Sequence, residues 1–216
     1  MIRIVIADDH TILREGLKQL LLAAGDMEIV GEAVDGNEVL QRVRQAEFDV
    51  LLLDLSMPGR SGMELIKLVK AERPRLRILV LSMHGEQQYA VRAIKAGASG
   101  YLTKESASAQ LVTAIRKVAS GGAFISAEVA EQLALDAMPS AEGPPHASLS
   151  DREYQVFRML VSGRAVGEIA ESLNLSVKTV STHKARLMQK MGMTTQAELI
   201  RYALSHHLTD DSQPSV

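Results

Sequence analysis

Three aspartates, a serine and a lysine occupy equivalent places in the first half of this 216-residue chain. Asp8 and Asp9 follow the apolar run Ile2–Ala7, and Asp54 follows Val50–Leu53. Ser82 follows Leu76–Leu81, and Lys104 comes just after Ser99–Leu102. One aspartate at the end of an apolar run is ordinarily a turn or a helix cap. Five polar residues placed by one rule need another explanation. Clustered carboxylates raise one another's pKa unless a cation sits among them. Oxygen donors without Cys or His suit a hard ion, Mg²⁺ or Mn²⁺. An aspartate can also attack phosphorus and form an aspartyl phosphate. A metal and an ammonium group then offset the charge on the transferring oxygens. On this reading Asp54 is the nucleophile. Asp9 is a metal ligand, Asp8 a ligand or water-holder, and the backbone carbonyl of Ser56 completes the metal shell. Lys104 clamps the phosphoryl group.

The elements that must position these groups alternate. Strands are expected at Ile2–Ala7, Glu28–Val34, Val50–Leu53, Leu76–Leu81 and Ser99–Leu102. Amphipathic helices are expected at Ile12–Ala24, Asn37–Ala46, Met63–Ala71, Glu86–Ala96 and Glu105–Ser120, the third opened by the capping box Ser61-Gly-Met-Glu64. Apolar strands between amphipathic helices imply an α/β, doubly wound, flavodoxin-like parallel sheet of five strands. Ligands bind such sheets outside the carboxyl ends of the strands, where all five polar residues fall. No glycine-rich phosphate loop follows the first strand, which argues against a nucleotide-binding domain of this type.

The chain's three-proline stretch Met138–His146 reads as a linker. The expected organisation is a first domain over 1–120 and a linker over 121–147 with room for a short helix at Ala127–Leu135. A small all-α domain of four helices follows over 148–208, then a disordered tail over 209–216. Within the second domain, Ser150-Asp-Arg-Glu153, Ser176 and Thr195-Gln-Ala-Glu198 are helix starts. No run of residues approaches the ~20 apolar residues that span a bilayer. The N-terminus turns acidic too soon for a signal peptide, and there is no cysteine. Cytoplasmic residence without membrane contact is expected, and disulfides, cysteine metal sites and thiol nucleophiles are excluded.

The net charge of −2 hides an uneven distribution. No acid lies between Glu171 and Glu198, a window that holds Lys178, His183, Lys184, Arg186 and Lys190. A basic, acid-free stretch in a mildly acidic protein suggests contact with a polyanion. Two helices, Val166–Leu173 and Val177–Met191, flank the short turn Asn174-Leu-Ser176, as in a helix-turn-helix, whose second helix enters the major groove. At 3.6 residues per turn Val177, Val180, Leu187, Met188 and Met191 share one side. Lys178, Thr182, Ala185, Arg186 and Gln189 share the other. With Thr179, Ser181 and Lys184 these form the expected DNA-binding set. The last helix carries Leu199, Ile200, Ala203 and Leu204. That is more apolar surface than one side of a small module needs, so these four are expected at a dimer interface.

Asp8-Asp9-His10, Asp54-Leu-Ser-Met-Pro-Gly-Arg-Ser-Gly62, Leu81-Ser82 and Gly97-Ala-Ser-Gly-Tyr-Leu-Thr-Lys104 resemble the receiver domain of two-component response regulators. The resemblance implies that Asp54 accepts phosphate from a sensor histidine kinase. It also implies that Ser82 and Tyr101 form a switch pair: the hydroxyl turns toward the phosphoryl group and the ring turns inward. Family members often have Thr at the position of Ser82. Leu149-Ser-Asp-Arg-Glu153, Glu168-Ile-Ala-Glu-Ser-Leu173, Leu175-Ser-Val-Lys-Thr-Val180 and Lys190-Met-Gly192 resemble the LuxR-type DNA-binding domain. Some members of that family have Lys where this chain has Ser181 and Ala185. The order of the two domains resembles the NarL/FixJ class, which implies a transcription factor that pairs as a homodimer on double-stranded DNA when phosphorylated. The rival reading is a Mg-dependent aspartyl-phosphate hydrolase with an attached interaction module. Phosphatases of the haloacid-dehalogenase type carry a second Asp two residues after the nucleophile. Here that residue is Ser56, so water attack lacks its acid–base catalyst.

Overall fold

The computed structural model describes residues 1–57, 62–83, 87–137, 144–206 and 208. The capping residue Ser61, the linker stretch Met138–Gly143 with Pro139, and the tail from Thr209 lie outside them. The chain divides into two compact units, Met1–Leu135 and Asp136–Val216.

The first unit alternates β1 (Ile2–Ala7), α1 (Thr11–Ala23), β2 (Met27–Ala33), α2 (Gly36–Gln45) and β3 (Val50–Asp54). It continues with α3 (Gly62–Glu72), β4 (Arg77–Ser82), α4 (Gln87–Ala96), β5 (Gly100–Thr103), α5 (Lys104–Ala119) and α6 (Ala127–Ala137). All strand pairs are parallel, in the order β2-β1-β3-β4-β5. Successive residues of a strand face opposite sides, and here the two sides are separate cores. Val5, Leu51, Leu53, Ile78 and Val80 pack under α2, α3 and α4. Ile4, Ile6, Val50, Leu52, Leu79 and Leu81 pack under α1 and α5. This explains the unbroken apolar strands: both faces are covered, so neither can be polar. The strand order reverses between β1 and β3, and the crevice of a doubly wound sheet opens at that reversal.

The segment after α5, read from sequence as the start of the linker, belongs to the sheet's edge. Gly100 and Phe124 form a parallel bridge. The amide of Tyr101 donates to the Phe124 carbonyl at 2.9 Å, and the amide of Phe124 donates to the Ser99 carbonyl at 3.0 Å. A Cβ on Gly100 would lie 2.9 Å from that same carbonyl oxygen, so the close approach requires glycine. Val129 of α6 is buried in the core beside Tyr101.

The second unit holds a 3₁₀ helix (Pro145–Ser148), α7 (Asp151–Val161), α8 (Val166–Ser172), α9 (Val177–Met191) and α10 (Gln196–Ser205). Both expected capping boxes form, at Ser150/Glu153 and Thr195/Glu198. Tyr154, Phe157, Leu160, Ile169, Val180, Leu187, Leu199 and Ala203 make the core. Among the described residues no helix is long and apolar enough to cross a membrane.

Glu153 also binds this unit together. Its carboxylate is buried, accepts from the Ser150 amide at 2.8 Å and pairs with Lys190 Nζ at 2.7 Å. Burial opposes its charge, but Lys190 and the Ser150 bonds outweigh that and hold the carboxyl below its ordinary value. A lowered carboxyl pKa contributes stability above the unfolded value, near 4.5, and loses it as pH falls through the folded one. Glu153→Gln should therefore destabilise the unit by about 2 kcal/mol at pH 7. In chemical denaturation the gap from wild type should shrink as pH falls below 4.5.

Candidate functional sites

The five residues picked out by strand position meet at the crevice. β1 runs out at Ala7 and delivers Asp8 and Asp9; β3 ends on Asp54. β4 ends on Ser82, which lies in register with Thr103, and Thr103 caps α5 so that Lys104 is its first residue. Lys104 Nζ lies 2.8 Å from Asp8 Oδ2 and 2.8 Å from Asp54 Oδ2. All three side chains are under a tenth exposed. Burial works against the Lys104 ammonium. Its hydrogen bonds to Asp54 and Asp8 win, and the pKa lies above the usual lysine value.

The remaining oxygens are also placed. Asp54 Oδ1 accepts from the Ser56 amide at 3.0 Å. That bond turns the chain back over the crevice and leaves Ser56 exposed. Asp8 Oδ1 accepts from the His10 amide at 2.8 Å. Asp9 is exposed at the rim. Ligand atoms of Asp8, Asp9, His10 and Asp54 all lie within 4.8 Å of one another. The set offers hard oxygen donors and negative charge that one ammonium does not cancel, which fits a divalent cation.

Arg14 was not singled out from the sequence. It is buried on α1, and its guanidinium donates to the Asp8 carbonyl at 2.7 Å and to Glu32 Oε2 at 3.1 Å. It ties the start of α1 to the end of β1 and so fixes the backbone that carries both aspartates. Its signal was its place: a cation on the same helical stripe as Leu17 and Leu21.

Ser82 is fully buried. Tyr101 is also buried. Its amide bonds to the Phe124 carbonyl, and Val129 of α6 shares its core. A cavity of about 540 Å³ adjoins the ring, lined by Tyr101, Ser106, Gln110, Phe124 and Val129 among others.

In the second unit α8 and α9 meet at a tight turn. Asn174 takes the left-handed conformation (φ 51°), and Ser176 caps α9 through the Thr179 amide at 3.0 Å. Asparagine tolerates that conformation better than most side chains. Gly192, at φ 64°, closes α9. Lys178, Ser181, Thr182, Ala185, Arg186 and Gln189 are exposed. At a spacing of three and four residues they form one continuous stripe. Ser181 and Thr182 donate their hydroxyls to the Val177 and Lys178 carbonyls at 2.9 Å each.

Other members of the sequence-derived set sit elsewhere. Thr179 is half-buried, with its hydroxyl 2.8 Å from that of Ser176. Lys184 is half-buried and reaches Gln196 at 3.4 Å, at the start of α10. Val177, assigned to the inward side, is exposed at the first helical position.

The expected dimer surface needs correction. Leu199 and Ala203 are fully buried in the module's own core. Only Ile200, half-buried, and Leu204, 59% exposed, remain outward. Positions 199 and 203 form one helical stripe and 200 and 204 the next, 100° round; the module's core takes the first.

Comparison with known proteins identifies both domains. Residues 4–116 match the response regulator receiver domain, and residues 147–203 match the bacterial regulatory proteins of the luxR family. The response regulator UvrY of Escherichia coli (strain K12) is 37% identical over 209 residues, 96% of each chain. A structure of RcsB from Salmonella enterica serovar Typhimurium, bound to promoter P1flhDC with the phosphomimetic BeF3-, is 29% identical. It covers 94% of this chain and 98% of its own, with a TM-score of 0.64. A structure of two RcsB dimers bound to two parallel DNAs is 30% identical, with coverages of 94% and 98% and a TM-score of 0.58. The chain belongs to the NarL/FixJ class of two-component response regulators, DNA-binding transcription regulators that join a receiver domain to a LuxR-type helix-turn-helix domain.

Proposed function

We propose that Asp54 takes a phosphoryl group from the phosphohistidine of a sensor histidine kinase, in the cytoplasm, and that the acyl phosphate favours a homodimer that binds double-stranded DNA. The observation that carries this reading is the buried pair of carboxylates on one ammonium. Asp54 Oδ attacks phosphorus as the P–N bond to histidine breaks, and Lys104 receives the new negative charge. Mg²⁺, or Mn²⁺, would be held by Asp8, Asp9, Asp54 and the Ser56 carbonyl, and when bound it screens the phosphoryl oxygens. Ser82, at the neighbouring strand end, supplies a hydroxyl to the phosphoryl group. Ser56 is no proton acceptor for water, so autodephosphorylation is slow.

Incubation of the full chain with acetyl phosphate and Mg²⁺ tests the reading. Stoichiometric, stable labelling is expected. Continuous release of phosphate would favour a hydrolase.

On DNA, α9 lies in the major groove. Lys178 and Arg186 contact phosphates at the edges of the exposed stripe, while Ser181, Thr182, Ala185 and Gln189 face the bases. Lys178→Ala or Arg186→Ala should weaken binding to all duplexes alike and reduce the slope of log K against log salt by about 1. Thr182→Ala should change sequence preference with little change in that slope. Fluorescence anisotropy across a salt series separates the two classes. An unchanged slope for Lys178→Ala would contradict its assignment. Ile200 and Leu204 are the apolar residues of α10 left to a partner module.

A further inference from the structure

His146 lies on the 3₁₀ helix Pro145–Ser148, where the chain enters the second unit, and is only 3% exposed. An imidazole so buried needs a polar partner inside. Its Nδ1 lies 2.7 Å from the hydroxyl of Tyr202 on α10. The backbone amide of His146 donates to the same phenol oxygen. With its oxygen so engaged, the phenol gives its own proton to Nδ1, and the imidazole proton resides on Nε2. Burial holds the Tyr202 phenol above its ordinary pKa, so that proton is present. His206 completes the cluster. Its ring stacks on Tyr202 with centroids 4.0 Å apart and meets the His146 ring edge-on at 6.0 Å.

The contact bears on what α10 shows outward. Tyr202 stands two residues from both Ile200 and Leu204, and so on the far side of the helix from them. A grip on Tyr202 holds that outward stripe from behind. Two residues after His146, the Ser148 carbonyl accepts from Lys190 Nζ at 3.3 Å, so the same short helix also touches the end of α9.

The grip needs a neutral imidazole. A proton on Nδ1 turns that nitrogen from acceptor to donor and leaves the phenol to find another acceptor. It also places a cation where water is excluded, which is costly. The titratable and charged groups on the packed elements do not offset it. α10 brings Tyr202 and His206, and α9 brings the Lys190 ammonium. α7 brings Glu153, whose carboxylate is already taken by Lys190 at 2.7 Å.

We propose that His146 is a positioning residue for DNA binding: neutral, it latches the interdomain segment onto α10 through Tyr202, and protonated it lets go, so that mild acid weakens the complex with DNA. The inference deepens the pairing reading of Ile200 and Leu204 and rests on it.

Imidazole ¹⁵N resonances of the full chain, assigned through His146→Gln, report the ring directly and should show the Nε2–H tautomer at neutral pH. Affinity is then followed by anisotropy from about pH 7.5 to 5.5, with acetyl phosphate and Mg²⁺, on one duplex that the chain enriches from a random-sequence pool. Glutamine can accept from the phenol through Oε1 and does not titrate. Wild type should lose about tenfold more affinity than His146→Gln over that range, in step with the His146 titration. The comparison cancels His10, His183 and every other group common to the two chains. Tyr202→Phe keeps the ring and removes the hydroxyl; it should bind as weakly at the upper pH as wild type does at the lower. Equal pH dependence in wild type and His146→Gln, or an Nδ1–H tautomer at neutral pH, would overturn the proposal. A pH effect confined to wild type but carried by a single bound chain would support the latch and overturn the pairing reading alone.

Discussion

Asp54→Asn is expected to reduce labelling by acetyl phosphate to background, a fall of at least about a hundredfold. An amide oxygen is a poor nucleophile toward phosphorus, and no neighbour can take over. Asp8 is held by Lys104 and by the His10 amide, and Asp9 stands at the rim. The fold should survive, because asparagine has the same shape and its oxygen can still accept from Ser56. Peptide mapping of the labelled wild type should place the phosphoryl group on Asp54. Equal labelling of Asp54→Asn and wild type would show that the acidic crevice has been misread.

Lys104→Met should have the largest effect on stability. It removes the ammonium that Asp8 and Asp54 share and leaves two carboxylates buried side by side. Breaking a buried ion pair from one side costs about 3–5 kcal/mol. A divalent cation should restore part of this loss, since it supplies charge to the same oxygens. The sign of the pH dependence follows from the raised Lys104 pKa. Its contribution is complete below the unfolded value, 10.5, and is lost only as pH rises through the higher folded value. Thermal melts at pH 7 should therefore show the full gap, and added Mg²⁺ should raise the variant's melting temperature more than the wild type's. The variant should keep some labelling but lose the coupling of phosphodonor to DNA binding, because nothing then draws the phosphoryl oxygens into the crevice.

The acidic crevice was legible because strand ends are. An apolar run bounded by a polar residue marks both the strand and its carboxyl end, and a parallel sheet brings those ends together. The helix starts at Ser150, Ser176 and Thr195 were legible for a related reason, since each cap is a contact within four residues. What was not legible depends on contacts distant in sequence. Gly121-Gly122 looks like the beginning of a linker, yet Phe124 joins the edge of β5, a pairing set by the absent Cβ of Gly100. That segment contributes to the burial of Tyr101. On α10 the apolar pattern put both stripes at the dimer surface, because only packing against α7 decides that residues 199 and 203 turn inward and 200 and 204 do not. Lys190 looked like part of the basic window; it is tied to buried Glu153.

The central claim is that phosphorylation at Asp54 governs DNA binding through pairing of the chain. One reading helix makes few contacts. Two of them on half-sites about one helical turn apart gain both contacts and effective concentration. A phosphoryl group can drive this only through different affinity for the two states. The most direct test is analytical ultracentrifugation of the full chain with a duplex enriched by it from a random-sequence pool, with and without acetyl phosphate and Mg²⁺. The account predicts a weakly bound monomer without phosphodonor, and with it a complex of two chains per duplex that is at least about tenfold tighter. Asp54→Asn should remain in the first condition throughout. A single chain bound to the duplex with the same affinity in both conditions would contradict it.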